Sequence, residues 1–266
     1  MRIALVSDTY TPQVNGVTAV VRRIVHVLER AGHDALVVAP AYPERGGGPG
    51  ELRIPSAPFP PYPAVRLSLP IRRPVFRFLD AARPDLVHVA TEGPLGLMGR
   101  RYAMARGIPL VTSYHTDFPA YARHYGAAAL VPLVRRWLTW FHRPARLIHT
   151  PGEAVRDDLH RHGLHQAVIW GRGVDCRHFD PTRRNTGWRR WLAGADDTAV
   201  VLHVGRLAPE KNLDVLVEAW RLAYATLDQR ATFVVAGEGP AARRGAARFR
   251  RAQCSLQPAG RRAPAA

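Results

Sequence analysis

The chain has 266 residues, 47% of them hydrophobic, and a formal net charge of +17 at pH 7. This length is sufficient for two modest α/β domains, and the sequence has no run of about 18 apolar residues that could span a membrane. The charge invites a nucleic-acid-binding interpretation, but seven of the arginines lie in residues 241–266, and no nucleic-acid-binding motif accompanies them. We therefore expect no nucleic-acid partner.

Two features bear on the cellular compartment. Residues 3–6 are too few for the apolar part of a secretory signal. Cys176 and Cys254 lie far apart and lack the spacing of metal ligands, which fits a reducing environment. We therefore expect a cytoplasmic protein.

Residues 1–175 alternate short apolar runs with longer amphipathic stretches, which is typical of a parallel sheet with crossover helices. The predicted strands are residues 2–7, 35–39, 85–89, 109–113, 147–149 and 168–170. The predicted helices are residues 15–31, 94–106, 119–142 and a segment after Pro151. Residues 40–74 are rich in Pro and Gly and should be mostly loop, with a short strand near 52–54. The predicted fold class is α/β, with a doubly wound parallel sheet.

The remainder divides into three segments. Residues 176–197 are polar and predict a linker, and residues 198–240 predict a strand, a helix and a second strand. Two strands make an incomplete second domain, because a stable sheet needs more strands and a covered edge. Residues 241–266 contain no acid and no apolar periodicity, so we predict a disordered basic tail. A shift of reading frame near Pro240, a native tail and a truncated variant each explain this composition.

Two strand ends in the first domain carry candidate site residues. Asn15 can cap the first helix, and Gly16 allows a phosphate to approach the amides at the start of that helix. A simple capped helix with a turn glycine explains the same two residues. His115 follows the strand 109–113 and can bond sugar hydroxyls or orient an acceptor. The alternative is that His115 is one of twelve histidines placed there by chance.

A third strand end, in the second domain, carries two cations. Arg206 follows the strand 199–204, and Lys211 is expected in the first turn of the next helix. Because a helix N-terminus does not favour cations by itself, the pair suggests a clamp for a diphosphate. A solvated surface pair is the alternative.

Four stretches of the chain together resemble the family-4 glycosyltransferases, particularly their α-mannosyltransferase-like members. Residues 2–40, "RIALVSDTYTPQVNGVTAVVRRIVHVLERAGHDALVVAP", resemble that family's first strand, glycine loop and helix. Residues 88–118, "HVATEGPLGLMGRRYAMARGIPLVTSYHTDF", resemble the section with the active-site histidine. "WGRGVDCRHFDP" resembles the approach to the interdomain linker, and "HVGRLAPEKNLDVLVEAW" the donor-diphosphate motif.

The resemblance implies a GT-B fold and transfer of a sugar, such as mannose from GDP-mannose, with retention to a lipid or glycan acceptor. Residues 1–175 would be the acceptor-side, Rossmann-like domain, and residues 198–240 part of the nucleotide-sugar-binding domain. Gly16, next to Asn15, would face the donor phosphates. His115 would lie beside the transferred sugar, and Arg206 and Lys211 would hold the diphosphate. Neither a metal nor another cofactor is expected.

The family's paired glutamates are the part of the pattern that this sequence lacks. Glu210 and Glu218 have the spacing, but they overlap the cation motif and lack the accompanying glycines. A truncated, catalytically dead remnant is therefore an alternative to an active transferase. A basic membrane- or nucleic-acid-binding module is a further alternative. Trp137 and Trp140 beside Arg136, together with residues 64–79, suggest peripheral contact with an anionic membrane.

Overall fold

The computed structural model describes residues 1–43, 46–59, 62–171, 173–193, 198–226, 231–242 and 254–257. The chain divides into two compact units. Unit 1 consists of Met1–Pro119 and Ala129–Gly173, and unit 2 of Ala120–Ala128 and Val174–Ala266.

Unit 1 is built on a seven-stranded parallel sheet. Its strands are β1 Arg2–Val6, β2 Asp34–Pro40, β3 Glu51–Ile54, β6 Leu86–Val89, β7 Leu110–Ser113, β8 Leu147–Thr150 and β9 Ala167–Ile169. Their order across the sheet is β3-β2-β1-β6-β7-β8-β9. The strand order reverses between β1 and β6. In doubly wound sheets, ligands bind outside the carboxyl ends of the strands at such a point.

Six helices lie in the described part of the first 161 residues. They are α1 Gly16–Arg30, α2 Arg72–Ala82, α3 Pro94–Arg106, α4 Phe118–His124, α5 Val131–His142 and α6 Glu153–Arg161. The two faces of the sheet bury different residues of the same strand, because side chains alternate along it. Leu5 packs with Val21 of α1 on one face, whereas Ala4 and Val6 pack with residues of α2, α3, α5 and α6 on the other. The sheet is therefore covered on both faces.

Two predicted segments differ from the observed structure. The stretch 40–74 is not mostly loop, because an antiparallel hairpin of β4 Ser56–Phe59 and β5 Tyr62–Ser68 follows β3, and α2 begins at Arg72. The long helix predicted over 119–142 is two helices, α4 and α5, with a 3₁₀ turn at Ala128–Leu130 before α5. Gly126, after α4, has a φ of 75°, a conformation that a glycine adopts without strain and that ends a helix.

Unit 2 contains the elements α7 Thr186–Ala193, β10 Ala199–Val204, α8 Leu213–Thr226, β11 Ala231–Ala236 and β12 Cys254–Gln257. Its three strands form a parallel sheet with the order β10-β11-β12. Trp220 of α8 packs on Phe233 of β11, with ring centroids 4.9 Å apart, and both lie in a core with Leu207 and Leu213. On β10, in contrast, Leu202 and Val204 are 56% and 70% exposed.

The structure of unit 2 departs from the prediction in two places. The segment 176–197, predicted as a linker, contains α7, because Thr186 begins a run with apolar residues at helical spacing. Of the segment 241–266, predicted as disordered, the structure describes residues 241–242 and 254–257, and the prediction for the rest lies outside the described residues. Residues 254–257 form β12, which pairs in parallel with β11 from Phe233 onward. Four residues are too few to show a periodicity in sequence, so pairing with β11 decides their conformation.

Candidate functional site

Asp8 follows two residues after the first strand of unit 1, and its carboxyl group lies at the start of α3. Asp8 accepts hydrogen bonds from the amides of Leu95 (2.8 Å) and Gly96 (3.3 Å) and from the Thr91 hydroxyl (2.6 Å). Burial raises the pKa of Asp8 above its ordinary value, and these three hydrogen bonds counteract part of that effect. Asp8 thus fixes the start of α3 to the end of β1, a role that the sequence analysis missed.

Asn15 is the N-cap of α1, as predicted. Its Oδ1 accepts a hydrogen bond of 2.8 Å from the Thr18 amide, and its Nδ2 donates one of 2.7 Å to the Thr9 hydroxyl. Thr9 in turn donates to Gln13 Oε1 at 2.7 Å. The loop between β1 and α1 is therefore held by its own side chains, and the orientation of the first turn of α1 is fixed.

Gly16 is the first residue of α1 and is exposed. A Cβ built at this position would have no atom within 4 Å, and the φ of Gly16 is not positive. Neither the packing of the protein nor its backbone therefore requires a glycine here. The open space lies at the N-terminus of a helix, where amides and the helix dipole favour an anion.

His115 lies two residues after β7, at the carboxyl edge of the same sheet, and is half-buried. Its electrostatic neighbours include His88 of β6. His88 is buried, and its Nε2 shares a hydrogen bond of 2.7 Å with Ser113 Oγ. Burial, together with repulsion from His149 and His115, lowers the pKa of His88 to about 3, so His88 is neutral at physiological pH.

A second buried histidine contacts the other face of β7. His142, at the end of α5, has no exposed surface; its Nδ1 shares a hydrogen bond of 2.8 Å with Thr112 Oγ1, and its Nε2 lies 3.3 Å from Glu92 Oε1. His149 of β8 stacks on Trp170, with ring centroids 4.7 Å apart, and burial lowers its pKa. No local sequence pattern distinguishes these histidines from the others.

Arg206 in unit 2 contacts acidic and phenolic groups of the same unit. Its guanidinium forms an ion pair with Glu210 and donates to the Tyr121 hydroxyl at 3.1 Å, while the Tyr125 hydroxyl donates to Glu210 at 3.1 Å. Burial opposes the charged form of Glu210, but hydrogen bonds from its own amide and from Arg206 outweigh burial and lower its pKa. Glu210 is therefore a carboxylate that balances the charge of Arg206.

The sequence predicts Lys211 in the first turn of a helix, and this prediction is wrong. It is the last residue of a 3₁₀ turn, Pro209–Lys211, and Asn212, with a φ of 49°, separates this turn from α8. Lys211 is exposed. Arg206 and Lys211 both belong to the loop between β10 and α8, where the carboxyl end of a parallel strand meets a helix N-terminus.

Glu218 has the spacing of the family's paired glutamates relative to Glu210. It forms an exposed ion pair of 2.8 Å with Arg221 within α8. Glu210 and Glu218 thus each pair with an arginine of unit 2. Among the residues that the structure describes, no three His, Cys, Asp or Glu side chains are grouped so that they could hold a metal ion. None of the helices in the described part of the chain combines the length and the apolar character needed to cross a membrane.

A doubly wound parallel sheet followed by a second parallel α/β unit defines a GT-B-type glycosyltransferase fold, as predicted. Residues 14–178 match the model of Glycosyltransferase Family 4, and residues 187–251 match that of Glycosyl transferases group 1. The chain belongs to glycosyltransferase family 4. The second match extends beyond Pro240 to residue 251.

Curated relatives match over most of this chain. A GDP-mannose-dependent alpha-mannosyltransferase of Mycobacterium tuberculosis is 36% identical over 252 residues, which are 90% of this chain and 63% of the relative. One of Corynebacterium glutamicum is 31% identical, covering 91% of this chain and 59% of the relative. An alpha-monoglucosyldiacylglycerol synthase of Streptococcus pneumoniae is 29% identical, covering 90% and 56%. The chain thus spans less than two thirds of the length of these relatives.

Solved structures share the fold at low sequence identity. HepE of Anabaena, in complex with UDP, superposes with a TM-score of 0.67 at 16% identity and covers 97% of this chain and 69% of that protein. Sucrose-phosphate synthase from Thermosynechococcus elongatus gives a TM-score of 0.66 at 14% identity, covering 97% and 70%.

Proposed function

We propose that this chain carries the catalytic region of a mannosyltransferase that uses GDP-mannose and transfers mannose with retention to a lipid or glycan acceptor. The observation that carries the proposal is the 36% identity with a GDP-mannose-dependent alpha-mannosyltransferase across 90% of the chain. The two family matches, over residues 14–178 and 187–251, include every candidate site residue. No metal and no further cofactor is required in this proposal, because protein cations and helix amides balance the diphosphate charge.

In unit 1, the start of α1 would bind the phosphates of the donor. Asn15 caps the Thr18 amide and fixes the first turn, and the open space at Gly16 admits a phosphate oxygen close to the backbone. His115 would lie beside the transferred sugar and bond one of its hydroxyls. A hydrogen-bond donor that meets the reacting sugar in a fixed position lowers the barrier by orientation.

In unit 2, Arg206 and Lys211 would hold the diphosphate as it becomes the leaving group. Charge develops on the phosphate oxygens as the bond to the sugar breaks, and fixed cations stabilise that charge. Arg206 would exchange part of its interaction with Glu210 for the phosphate, since both are oxyanions that accept from a guanidinium.

Titration calorimetry and a transfer assay test this function directly. We expect the chain to bind GDP and to transfer mannose from GDP-mannose to an acceptor extract. His115→Ala should abolish transfer and leave GDP binding within about twofold, whereas His124→Ala, at an exposed histidine, should change neither. Arg206→Ala with Lys211→Ala should weaken GDP binding by about tenfold or more, and Arg221→Ala should not. A chain that binds no nucleoside diphosphate would instead be a catalytically dead remnant.

We also propose that α5 and the residue before it contact an anionic membrane at the inner face of the cell. Exposed apolar side chains recur along one side of this helix: Leu130, Leu133, Trp137 and Trp140. Residues 118–152 contain five arginines and no acidic residue. Tryptophans flanked by arginines suit the interface of an anionic bilayer, and a lipid acceptor would be presented there.

Vesicle flotation distinguishes this contact from general stickiness of the basic chain. We expect flotation with vesicles that contain phosphatidylglycerol and little with phosphatidylcholine alone. The double variant Trp137→Ala with Trp140→Ala should lose most of it. The matched control is Trp188→Ala with Trp191→Ala on α7, which removes two tryptophans of similar exposure, 38% and 39%. Equal flotation of the two double variants would contradict the proposal.

A further inference from the structure

The end of β7 is anchored on both faces by buried histidines. Thr112 and Ser113 are consecutive and at most 1% exposed, and their side chains point to opposite faces of the sheet. Ser113 Oγ shares its hydrogen bond of 2.7 Å with His88, and Thr112 Oγ1 shares its hydrogen bond of 2.8 Å with His142. Each hydroxyl is therefore bonded to an imidazole from a different neighbouring element.

Each of these two imidazoles also contacts a second side chain. His142 Nε2 lies 3.3 Å from Glu92 Oε1, so both ring nitrogens of His142 have a partner. The His88 ring packs edge-on against the His149 ring, with centroids 5.4 Å apart. Second partners of this kind fix the orientation of a histidine ring.

One residue separates this anchor from His115. The amide of Tyr114 donates to the His149 carbonyl at 2.8 Å, and the side chain of Tyr114 is 4% exposed. The backbone is thus fixed up to the residue before His115. In enzymes, a displacement of about 1 Å at a reacting group reduces the rate by about 100-fold.

We propose that His88 and His142 are positioning residues, which act through Ser113 and Thr112 to fix the strand end that carries His115. The effect of this positioning on catalysis rests on the proposed function of His115. Its effect on the position of His115 does not. The two hydroxyls act from opposite faces, so the loss of either allows the end of β7 to move toward the other.

The test compares variants that remove one buried hydroxyl each. Thr112→Val and Ser113→Ala remove the two anchors, and Thr112→Ser restores a hydroxyl at position 112. The matched control is Thr150→Val, because the Thr150 hydroxyl donates to the Val168 carbonyl at 3.0 Å at the end of the adjacent strand and is 2% exposed. The readout is the NMR titration of the His115 ring, assigned with His115→Gln, together with kcat and KM.

We expect Thr112→Val and Ser113→Ala to shift the titration midpoint of His115 by about 0.3 pH unit or more, and Thr112→Ser and Thr150→Val by less than about 0.1. The kcat of the two anchor variants should fall about tenfold, with KM for GDP-mannose within about twofold. An unchanged His115 titration in both anchor variants would overturn the proposal, even if their stability falls as in Thr150→Val.

A second pair of variants covers the case in which Ser113→Ala does not fold. His88→Gln keeps a hydrogen-bonding group near the position of Nε2 and should preserve the His115 midpoint, whereas His88→Leu should shift it. The two proposals fail differently. If the wild-type chain transfers no mannose but the titration midpoint of His115 still shifts in the anchor variants, the proposed function is refuted and the positioning role is retained. If transfer is normal and the midpoint of His115 does not shift in those variants, the positioning role is refuted and the proposed function is retained.

Discussion

The carboxyl group of Asp8, two residues after the first strand, accepts a hydrogen bond of 2.8 Å from the amide of Leu95 at the start of α3. These residues are 87 positions apart, and the bond joins the loop after β1 to the N-terminus of a helix. The backbone around the start of α3 is closely packed at two glycines. A Cβ at Gly93 would lie 2.6 Å from Asp8 Cγ, and one at Gly96 would overlap the Thr91 carbonyl oxygen.

The first prediction follows from this close approach. Gly96→Ala should lower the free energy of unfolding by about 2–3 kcal/mol, because the added methyl group meets rigid backbone that cannot move away. Urea unfolding followed by circular dichroism measures the change. Gly107→Ala is not a suitable control, since Gly107 has a φ of 65°. Gly16→Ala is suitable, and equal losses in Gly96→Ala and Gly16→Ala would contradict the prediction.

The second prediction concerns Gly16 itself. Because a Cβ there meets no atom within 4 Å, Gly16→Ala should leave the stability unchanged or raise it by about 0.5 kcal/mol through a smaller entropy of the unfolded chain. The same methyl group occupies the space proposed for a phosphate, so GDP should bind about tenfold more weakly. Calorimetry and thermal unfolding of the same sample separate these two effects. Unchanged GDP affinity would argue against a phosphate at this position.

The third prediction is a pH dependence that arises from His88. Its pKa is about 3 in the folded chain and about 6.5 when unfolded, so the unfolded state binds more protons between these values. The contribution of His88 to the free energy of unfolding is therefore complete above pH 6.5 and is lost as the pH falls toward 3. At pH 5, His88 alone should account for a loss of about 2 kcal/mol relative to pH 7.

Urea unfolding of wild type and His88→Gln at both pH values checks this dependence. The glutamine keeps a polar group near Ser113 and cannot titrate, so its loss of stability between pH 7 and pH 5 should be smaller by about 2 kcal/mol. His33→Gln is the control, because His33 is not buried. The same loss in wild type and His88→Gln would show that other groups cause the dependence.

The fourth prediction addresses the pairing of Arg206 with Glu210. Glu210→Gln removes a buried carboxylate that competes with a phosphate for the guanidinium, so GDP affinity should rise about threefold at low salt, and less at high salt. Glu218→Gln, which breaks the exposed pair with Arg221, should leave the affinity unchanged. A fall in GDP affinity with Glu210→Gln would mean that Glu210 orients Arg206 and does not compete for it.

Much of unit 1 could be predicted because its signals are local. The apolar runs of β1, β2 and β6, the cap at Asn15 and the start of α3 at Pro94 each depend on a few consecutive residues. The hairpin of β4 and β5 could not be predicted, because its segment is rich in proline. It is stabilised by Arg66, whose guanidinium donates to the Ser56 hydroxyl at 2.8 Å and to the Ser56 carbonyl at 2.6 Å.

The α/β class, the family and the three strand ends that carry Gly16, His115 and Arg206 can be predicted from the sequence, because parallel strands and helix starts have a local signature. The side chains that surround these three residues follow from the tertiary structure. Asp8 reaches α3, His88 and His142 hold β7, and Glu210 balances Arg206. All but the last of these contacts join residues 25 to 87 positions apart. Their partners are chosen by the order of the strands in the sheet, and no spacing along the chain encodes that order.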